Sequence, residues 1–229
     1  MRLIIDRLRP ALPRAVALVL LVAVLIVLMR SDDLYAALLG VFTAASTIIA
    51  ARPIAGALLF MLLAALSAML GFFSSTVLIP AAVLVWGTPG TIALLWVGWL
   101  VGGMVAHSLA RYVGRPLLRL LVSPAILTRY AWLIDTKPRF STVLLLQAAL
   151  PSELVGYLLG LARYPLLRYT AALGIIEVPW AIGTVLLGVG FIERDTATLV
   201  GITVIGVLSL GVIARLSRRL RRSGSARIL

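Results

Sequence analysis

Cysteine is absent and histidine occurs once, at His107. The first absence removes disulfides and thiolate metal sites, and the second leaves too few imidazoles for a histidine-built centre. No metal and no other cofactor is therefore expected. Charge is also scarce. Only 13% of the 229 residues are charged, of which 8 are acidic, whereas soluble domains carry about 25%. A chain with so little polar surface cannot cover a water-exposed fold, which excludes a soluble domain. What is abundant is apolar: 62% of residues are hydrophobic and the mean hydropathy is +1.12. The expected class is an all-α polytopic membrane protein. The net charge of +13 would suggest nucleic acid in a soluble protein. Here the basic residues fall between apolar runs, and no polar face alternates aromatic and basic side chains. They read as topology signals and headgroup contacts, with no nucleic-acid partner.

Arg2, Arg7, Arg9 and Arg14 precede the first apolar run, Ala15 to Met29. Met29-Arg30-Ser31-Asp32-Asp33 follows it instead of a small-residue cleavage site, so an uncleaved first helix is expected. Later runs are Leu34 to Ala51, the uncharged stretch Ile54 to Ala110, Phe140 to Ala162 around Glu153, Tyr169 to Phe191 around Glu177, and Thr196 to Ala214. A crossing needs about 20 residues, and Lys and Arg collect on the cytoplasmic side. Six crossings plus two re-entrant hairpins, near residues 71–90 and 142–161, satisfy both rules. In this arrangement Ile54 to Leu70 and Thr91 to Ala110 cross, and 19 of the 21 basic residues lie inside. Only Arg30 and Arg194 lie outside, beside Asp32, Asp33, Glu193 and Asp195. Both termini are expected in the cytoplasm. The organisation expected is a basic segment with two helices over 1–53, a core over 54–190, and a last helix with a basic tail over 191–229.

The hairpins carry their own signals. Ser74, Ser75, Thr76, Pro80, Gly87, Pro89 and Gly90 interrupt the first, and Leu150-Pro151-Ser152-Glu153 the second. Bent backbone at membrane depth is tolerated only beside protein or a wet cavity. Two dips from opposite faces resemble the inverted repeats of secondary transporters, with Ile79-Pro80 aligning on Leu150-Pro151. Glu153 and Glu177 are the only acidic side chains within apolar runs. A carboxylate at helix centre costs about 2.5–3.5 kcal/mol on insertion scales, so each should be paired, protonated or water-facing. Proton or cation coupling is one reading, and a neutral acid bonded to another helix as packing glue is the other. Arg163 and Arg168 follow the second hairpin, where a guanidinium fork suits a phosphate; an anchoring role is the plainer alternative, favoured for Arg168. His107, near its helix end, could titrate near neutral pH; a histidine reaching the interface is the favoured reading. Gly98, Gly102, Ala106 and Ala110 form a stripe for close helix approach. Gly156 and Gly160 share that spacing. Between Arg111 and Arg139, RPLLRLLV and Tyr130-Ala131-Trp132 suggest a surface-lying element. The tail from Arg215 to Arg227 reads as a basic anchor.

From Leu150 the chain reads LPSELVGYLLGLARYPLLRYTAALGIIEVPWAIGTVLLG. Pro151, Tyr157, Gly160-Leu161, Arg163, Pro165, Tyr169, Gly174, Pro179 and Gly188 resemble the DedA family, also called the VTT or SNARE-associated-domain superfamily. IPAAVLVWGTPG and LARYVGRPL resemble that family's first hairpin and the following helix, so the likeness covers about Ile54 to Gly190. The family's first-hairpin acid is missing here. Its arginine before the second turn is also missing, and Gln147 is the polar side chain nearest that place. The run Leu34 to Ala51 has no clear counterpart.

The resemblance implies a lipid transporter of the plasma membrane, a flippase or scramblase for undecaprenyl phosphate or phospholipid, and not an enzyme. It implies substrate or ion binding at Glu153, Glu177, Arg163, Arg168, Gln147 and Tyr157, with Pro80, Pro151 and Gly160 at the hairpin turns. Expected partners are membrane lipids, protons or sodium ions, and a second copy in a homo-oligomer. Rival readings are a non-transporting assembly or scaffold protein and a small-ion or solute transporter. A lipid-acting enzyme fares worse, because no nucleophile–base pair or metal-ligand motif is present.

Overall fold

The computed structural model describes residues 12–70, 75–114 and 138–225. Among them are eight α-helices, one 3-10 turn and no strand, the all-α class that the composition demands. In chain order these are α1 (Leu12–Arg30), α2 (Asp32–Ala50), α3 (Pro53–Leu70), the 3-10 turn (Ser75–Leu78) and α4 (Ile79–Val113). They continue with α5 (Phe140–Ala149), α6 (Ser152–Leu161), α7 (Leu166–Ile192) and α8 (Thr196–Ser225). Four stretches are long and apolar enough to cross a membrane: α2, α3, the 3-10 turn with α4, and α7. Packing decides how each is used.

Small residues set the register of α3 on α4. A Cβ at Gly98 would stand 2.6 Å from the Ala64 Cβ and 2.9 Å from the Met61 carbonyl oxygen. One turn on, a Cβ at Gly102 would stand 2.3 Å from the Ala65 carbonyl oxygen. One turn further, Met69 packs with Ala106 and Ala110. Successive turns match in the same order, so α3 and residues 88–113 of α4 run parallel. The chain must therefore return between them. The Ser75 amide lies 3.4 Å from the Ser67 hydroxyl, beside the end of α3. Residues 75–86 then climb back until Trp86 meets Phe60, ring centroids 5.9 Å apart. Gly87 turns the corner at φ 66° and ψ 176°, a left-handed conformation that glycine adopts without a Cβ penalty. Thr91 closes the new helix by donating to the Gly87 carbonyl at 2.8 Å.

This packing relocates the first hairpin. Its arms are α3 and residues 75–86, not the expected stretch 71–90, and Ile54 to Leu70 is its descending arm instead of a crossing. The second hairpin is α5 and α6, joined at Leu150 and Pro151. Each of its arms has 10 residues, about 15 Å of helix or half a hydrocarbon core. Gly156 and Gly160 seat α6 on α4 in parallel: a Cβ at Gly160 would stand 2.2 Å from the His107 carbonyl oxygen. α7 then runs antiparallel to α4, with Leu173 against Gly103 and Trp96 donating to the Gly174 carbonyl at 3.1 Å. Val113, Arg139, Leu161 and Arg168 thus share one end of the bundle, the basic end. Pro53, Gly87 and Ile192 share the opposite end.

α1 and α8 complete the bundle. Leu18 of α1 touches Gly206 of α8, and Val22 and Met29 cluster with Phe191 and Leu199. α2 begins at the opposite end, where Asp32 pairs with Arg194 at 2.7 Å, and finishes beside Pro53 at that same end. It therefore lies along the face, although the sequence suggests a crossing from Leu34 to Ala51. Its three sides suit that position. Tyr35, Leu38 and Phe42 pack on Phe191 and its neighbours. Leu34, Val41 and Ile48 form an exposed apolar stripe, while Asp32, Thr43 and Thr47 occupy a third side exposed to the surroundings. Such a division matches a helix in the interface plane. Four helices then run from end to end: α1, residues 88–113 of α4, α7 and α8. The expected surface element within RPLLRLLV and Tyr130-Ala131-Trp132 lies outside the described residues.

Candidate functional site

The second hairpin ends at mid-depth because its arms are short, and its tip carries polarity there. Pro151 caps α6 in extended geometry, which places Ser152 and Glu153 in the first turn of that helix. Ser152 donates its hydroxyl to the Glu177 carboxylate, and the Gln147 side-chain amide donates to the same oxygen at 3.3 Å. Glu177 is buried at 6% exposure and Gln147 at 2%. Three helices therefore converge on one carboxyl group: α5 through Gln147, α6 through Ser152, and α7 through Glu177 itself.

A cavity of about 520 Å³ opens on this cluster. Gln147, Ser152, Glu153 and Glu177 supply its polar side, and Trp99, Leu173, Trp180 and Leu18 its apolar walls. Ser67 and Ala68 bring in the first hairpin, so both hairpins contribute to one space. A volume of this order, apolar-walled with a few convergent polar groups, is typical of ligand sites. No group of three or more His, Asp or Glu able to hold a metal occurs among the described residues.

The remaining sequence-derived candidates lie elsewhere. Arg163 and Arg168 are exposed at the basic end, Arg168 about 13 Å along α7 from Glu177 at helical rise. Arg163 sits in the corner before α7 with φ 52°. Tyr157 is buried and donates to the Met69 carbonyl at 3.0 Å, tying α6 to α3. Pro151 stands at the second turn. Pro80 does not stand at the first: it is buried one residue into the ascending arm of α4. Gly160 is not at a turn either, but within α6 against the backbone of His107. His107 is fully buried, not at the interface. Its Nε2 lies 3.1 Å from the Tyr164 carbonyl, and its ring stacks on Tyr169 at 4.9 Å. Ser152 is the contributor that charge counting overlooks. Its signal is position alone, immediately after a proline at the only sharp break in that apolar run.

The two halves share a local pattern. Gly87-Thr88-Pro89 and Arg163-Tyr164-Pro165 each place a positive-φ residue two before a proline, between a hairpin and an end-to-end helix. Eleven residues past each corner stands a glycine at a helix contact, Gly98 and Gly174. The alignment of Ile79-Pro80 with Leu150-Pro151 is therefore out of register; the corners place Ser75 opposite Pro151. The VTT domain, the DedA/SNARE-associated domain, matches residues 73–190, more than half of the chain. The chain belongs to the VTT domain family. That match runs from just before the 3-10 turn into the last turn of α7, so the VTT core holds both corners and the whole Glu177 cluster. α1, α2 and α8 lie outside it. No curated protein and no solved structure matches this VTT-domain chain.

Proposed function

We propose that this VTT-domain protein moves a phosphate-bearing lipid, a polyprenyl phosphate such as undecaprenyl phosphate or a phospholipid, across the plasma membrane. Movement is coupled to protons or sodium ions. The single observation that carries the reading is a buried carboxyl, Glu177, held by Gln147 and Ser152 at a hairpin tip beside a mid-depth cavity. An ionisable group inside a membrane protein is costly to keep and marks ion and substrate paths. In the ionised state Glu177 would draw a cation, or release its proton to the cavity. In the neutral state it would leave the cavity free of net charge, so that a headgroup could pass.

Orientation follows from charge. Arg139, Arg163 and Arg168 gather at the basic end, which the positive-inside rule assigns to the cytoplasm together with both termini. The forks of Arg163 and Arg168 suit a first encounter with a lipid phosphate. They stand too far from Glu177 to hold the same headgroup at mid-depth.

Purified protein in liposomes, with labelled headgroups followed under a pH or sodium gradient, tests the reading. Wild type should move one phosphate-bearing lipid class, and Glu177→Gln and Glu153→Gln should stop that movement while the protein remains folded. Full activity in Glu177→Gln would remove the carboxyl from the mechanism. Absence of any lipid movement with uptake of a small ion would favour the solute-transport reading. Absence of both would favour an assembly role.

A further inference from the structure

Beneath the cavity lies a second polar cluster that the Glu177 site does not use. His107 is fully buried on α4, one turn below the cavity residue Gly103 and one turn above Arg111. Its ring stacks on Tyr169 at 4.9 Å with 17° between planes. Nε2 lies 3.1 Å from the Tyr164 carbonyl. A carbonyl only accepts, so Nε2 carries the hydrogen and the lone pair sits on Nδ1. Among the described residues, Nδ1 has no hydrogen-bond partner, and neither do the buried hydroxyls of Tyr169, Tyr164 and Thr170.

Buried polar atoms are nearly always satisfied by protein or water. Nδ1 and the buried hydroxyls of Tyr169 and Tyr164 are therefore groups that water can bond. Their arrangement is directional. The Tyr169 hydroxyl lies against Gly103, whose Cβ would stand 2.9 Å from it, at the floor of the cavity. Tyr164 lies in the corner at the basic end and is itself buried. Tyr169 and Glu177 are two turns apart on α7, about 12 Å at helical rise.

We infer that His107 is a proton-carrying station between the Glu177 cavity and the basic face, with Tyr169 and Tyr164 ordering water on either side. This rests on the proton-coupled reading above and extends it. A proton from water at the basic end bonds to Nδ1, giving imidazolium while Nε2–H stays on the Tyr164 carbonyl. The Nδ1–H bond then breaks toward cavity water, a new O–H bond forms on the Glu177 carboxylate, and His107 returns to its starting tautomer. The ionisable groups nearest the ring are Tyr169 from α7, Tyr164 from the corner, Tyr157 from α6 and Arg111 on α4, and the carboxyl groups of Glu177 and Glu153 act on Tyr169 from the cavity side; Met69 of α3 adds an apolar contact.

A single histidine makes the test direct. In lipid nanodiscs, the imidazole NMR signals of isotope-labelled protein belong to His107 alone. Followed from neutral into acidic pH, they should show a proton being taken up at Nδ1, and that uptake should shift in Glu177→Gln. A ring that stays neutral at every pH at which the protein remains folded, as for a locked core imidazole, would overturn the proposal. His107→Gln keeps a donor for the Tyr164 carbonyl but holds no proton. In liposomes it should lose the gradient-driven component of lipid movement by roughly tenfold or more and retain exchange without a gradient. Gradient dependence equal to wild type would also overturn it. If wild type itself ignores a pH gradient, the proton-coupled reading fails, and the NMR titration alone then decides the role of His107: dependence on Glu177 supports it, and a fixed ring removes it.

Discussion

At the residue scale, the core rests on glycines that let backbones touch, and their replacement separates structural from permissive positions. An alanine at Gly102 or Gly160 puts a methyl within 2.3 Å or 2.2 Å of a carbonyl oxygen. A carbonyl within a helix cannot yield, so α3 or α6 must move away from α4. We expect each substitution to cost about 1–3 kcal/mol, in the range of overpacked cores, read as a lower unfolding temperature in detergent. Gly201 and Gly40 meet nothing within 4 Å. Alanine there should be neutral or gain about 0.5–1 kcal/mol from reduced backbone freedom in the unfolded chain. Equal melting of Gly160→Ala and Gly201→Ala would contradict the α4–α6 packing. The stripe Gly98, Gly102, Ala106 and Ala110 was legible because small residues at spacing four have few uses other than close approach, and all four contacts fall within this chain. Glu177 was legible for an equally simple reason, the rarity of acid in apolar sequence. His107 was not. Distance from a helix end is read from sequence, but the face is chosen by Gly160 and Tyr169 on other helices.

At the element scale, the corner between α7 and α8 fastens α2 and starts the last helix. Arg194, in the left-handed region at φ 55°, stacks over the Tyr35 ring at 3.9 Å and pairs with Asp32. The Asp32 carboxylate raises the Arg194 guanidinium above its ordinary value. Next to it, Asp195 caps α8 by accepting from the Ala197 and Thr198 amides at 2.9 Å and 3.1 Å and from the Thr198 hydroxyl. These donors, the Thr198 hydroxyl first, hold the Asp195 carboxyl below the ordinary aspartate value. Its folded-state pKa is depressed, so the cap stabilises above the unfolded value of about 3.9 and that contribution is lost as pH falls through the folded one. The protection factors of the amides at residues 197–199, taken against intrinsic exchange at the same pH, should fall under acid in wild type, and in Asp195→Ala they should already be low at neutral pH. Protection that ignores both changes would deny the cap. The second hairpin was readable because Pro151 divides an apolar run into two arms, each too short to cross. The first was not, because α3 has 18 residues without charge and meets the length rule for a crossing while serving as a hairpin arm. α2 was equally opaque. Its apolar residues suffice for a crossing, and only their division into three sides, seen against Phe191, marks it as lying along the face.

For the whole molecule, charge placement could not separate the sequence-derived topology from the observed one. Turning two crossings, α2 and α3, into a surface helix and a hairpin arm leaves the parity of every later segment unchanged. Among the described basic residues only Arg52 changes side, so a count dominated by the basic end is nearly blind to the change. The corners are better evidence, since Gly87-Thr88-Pro89 and Arg163-Tyr164-Pro165 each reverse the chain between a hairpin and an end-to-end helix. Two opposed hairpins meeting at one cavity need Pro53 level with Gly87, and hence Arg52 on the Arg194 side. The absence of cysteine makes this measurable without background. Single cysteines at Arg52, Arg139 and Arg194 in sealed, oriented vesicles should be labelled by an impermeant thiol reagent from two faces. Arg194→Cys and Arg52→Cys should react together, and Arg139→Cys only when the other side is reached. Arg52→Cys reacting with Arg139→Cys would restore α3 as a crossing, break its parallel run with α4, and separate Ser67 and Ala68 from the Glu177 cavity.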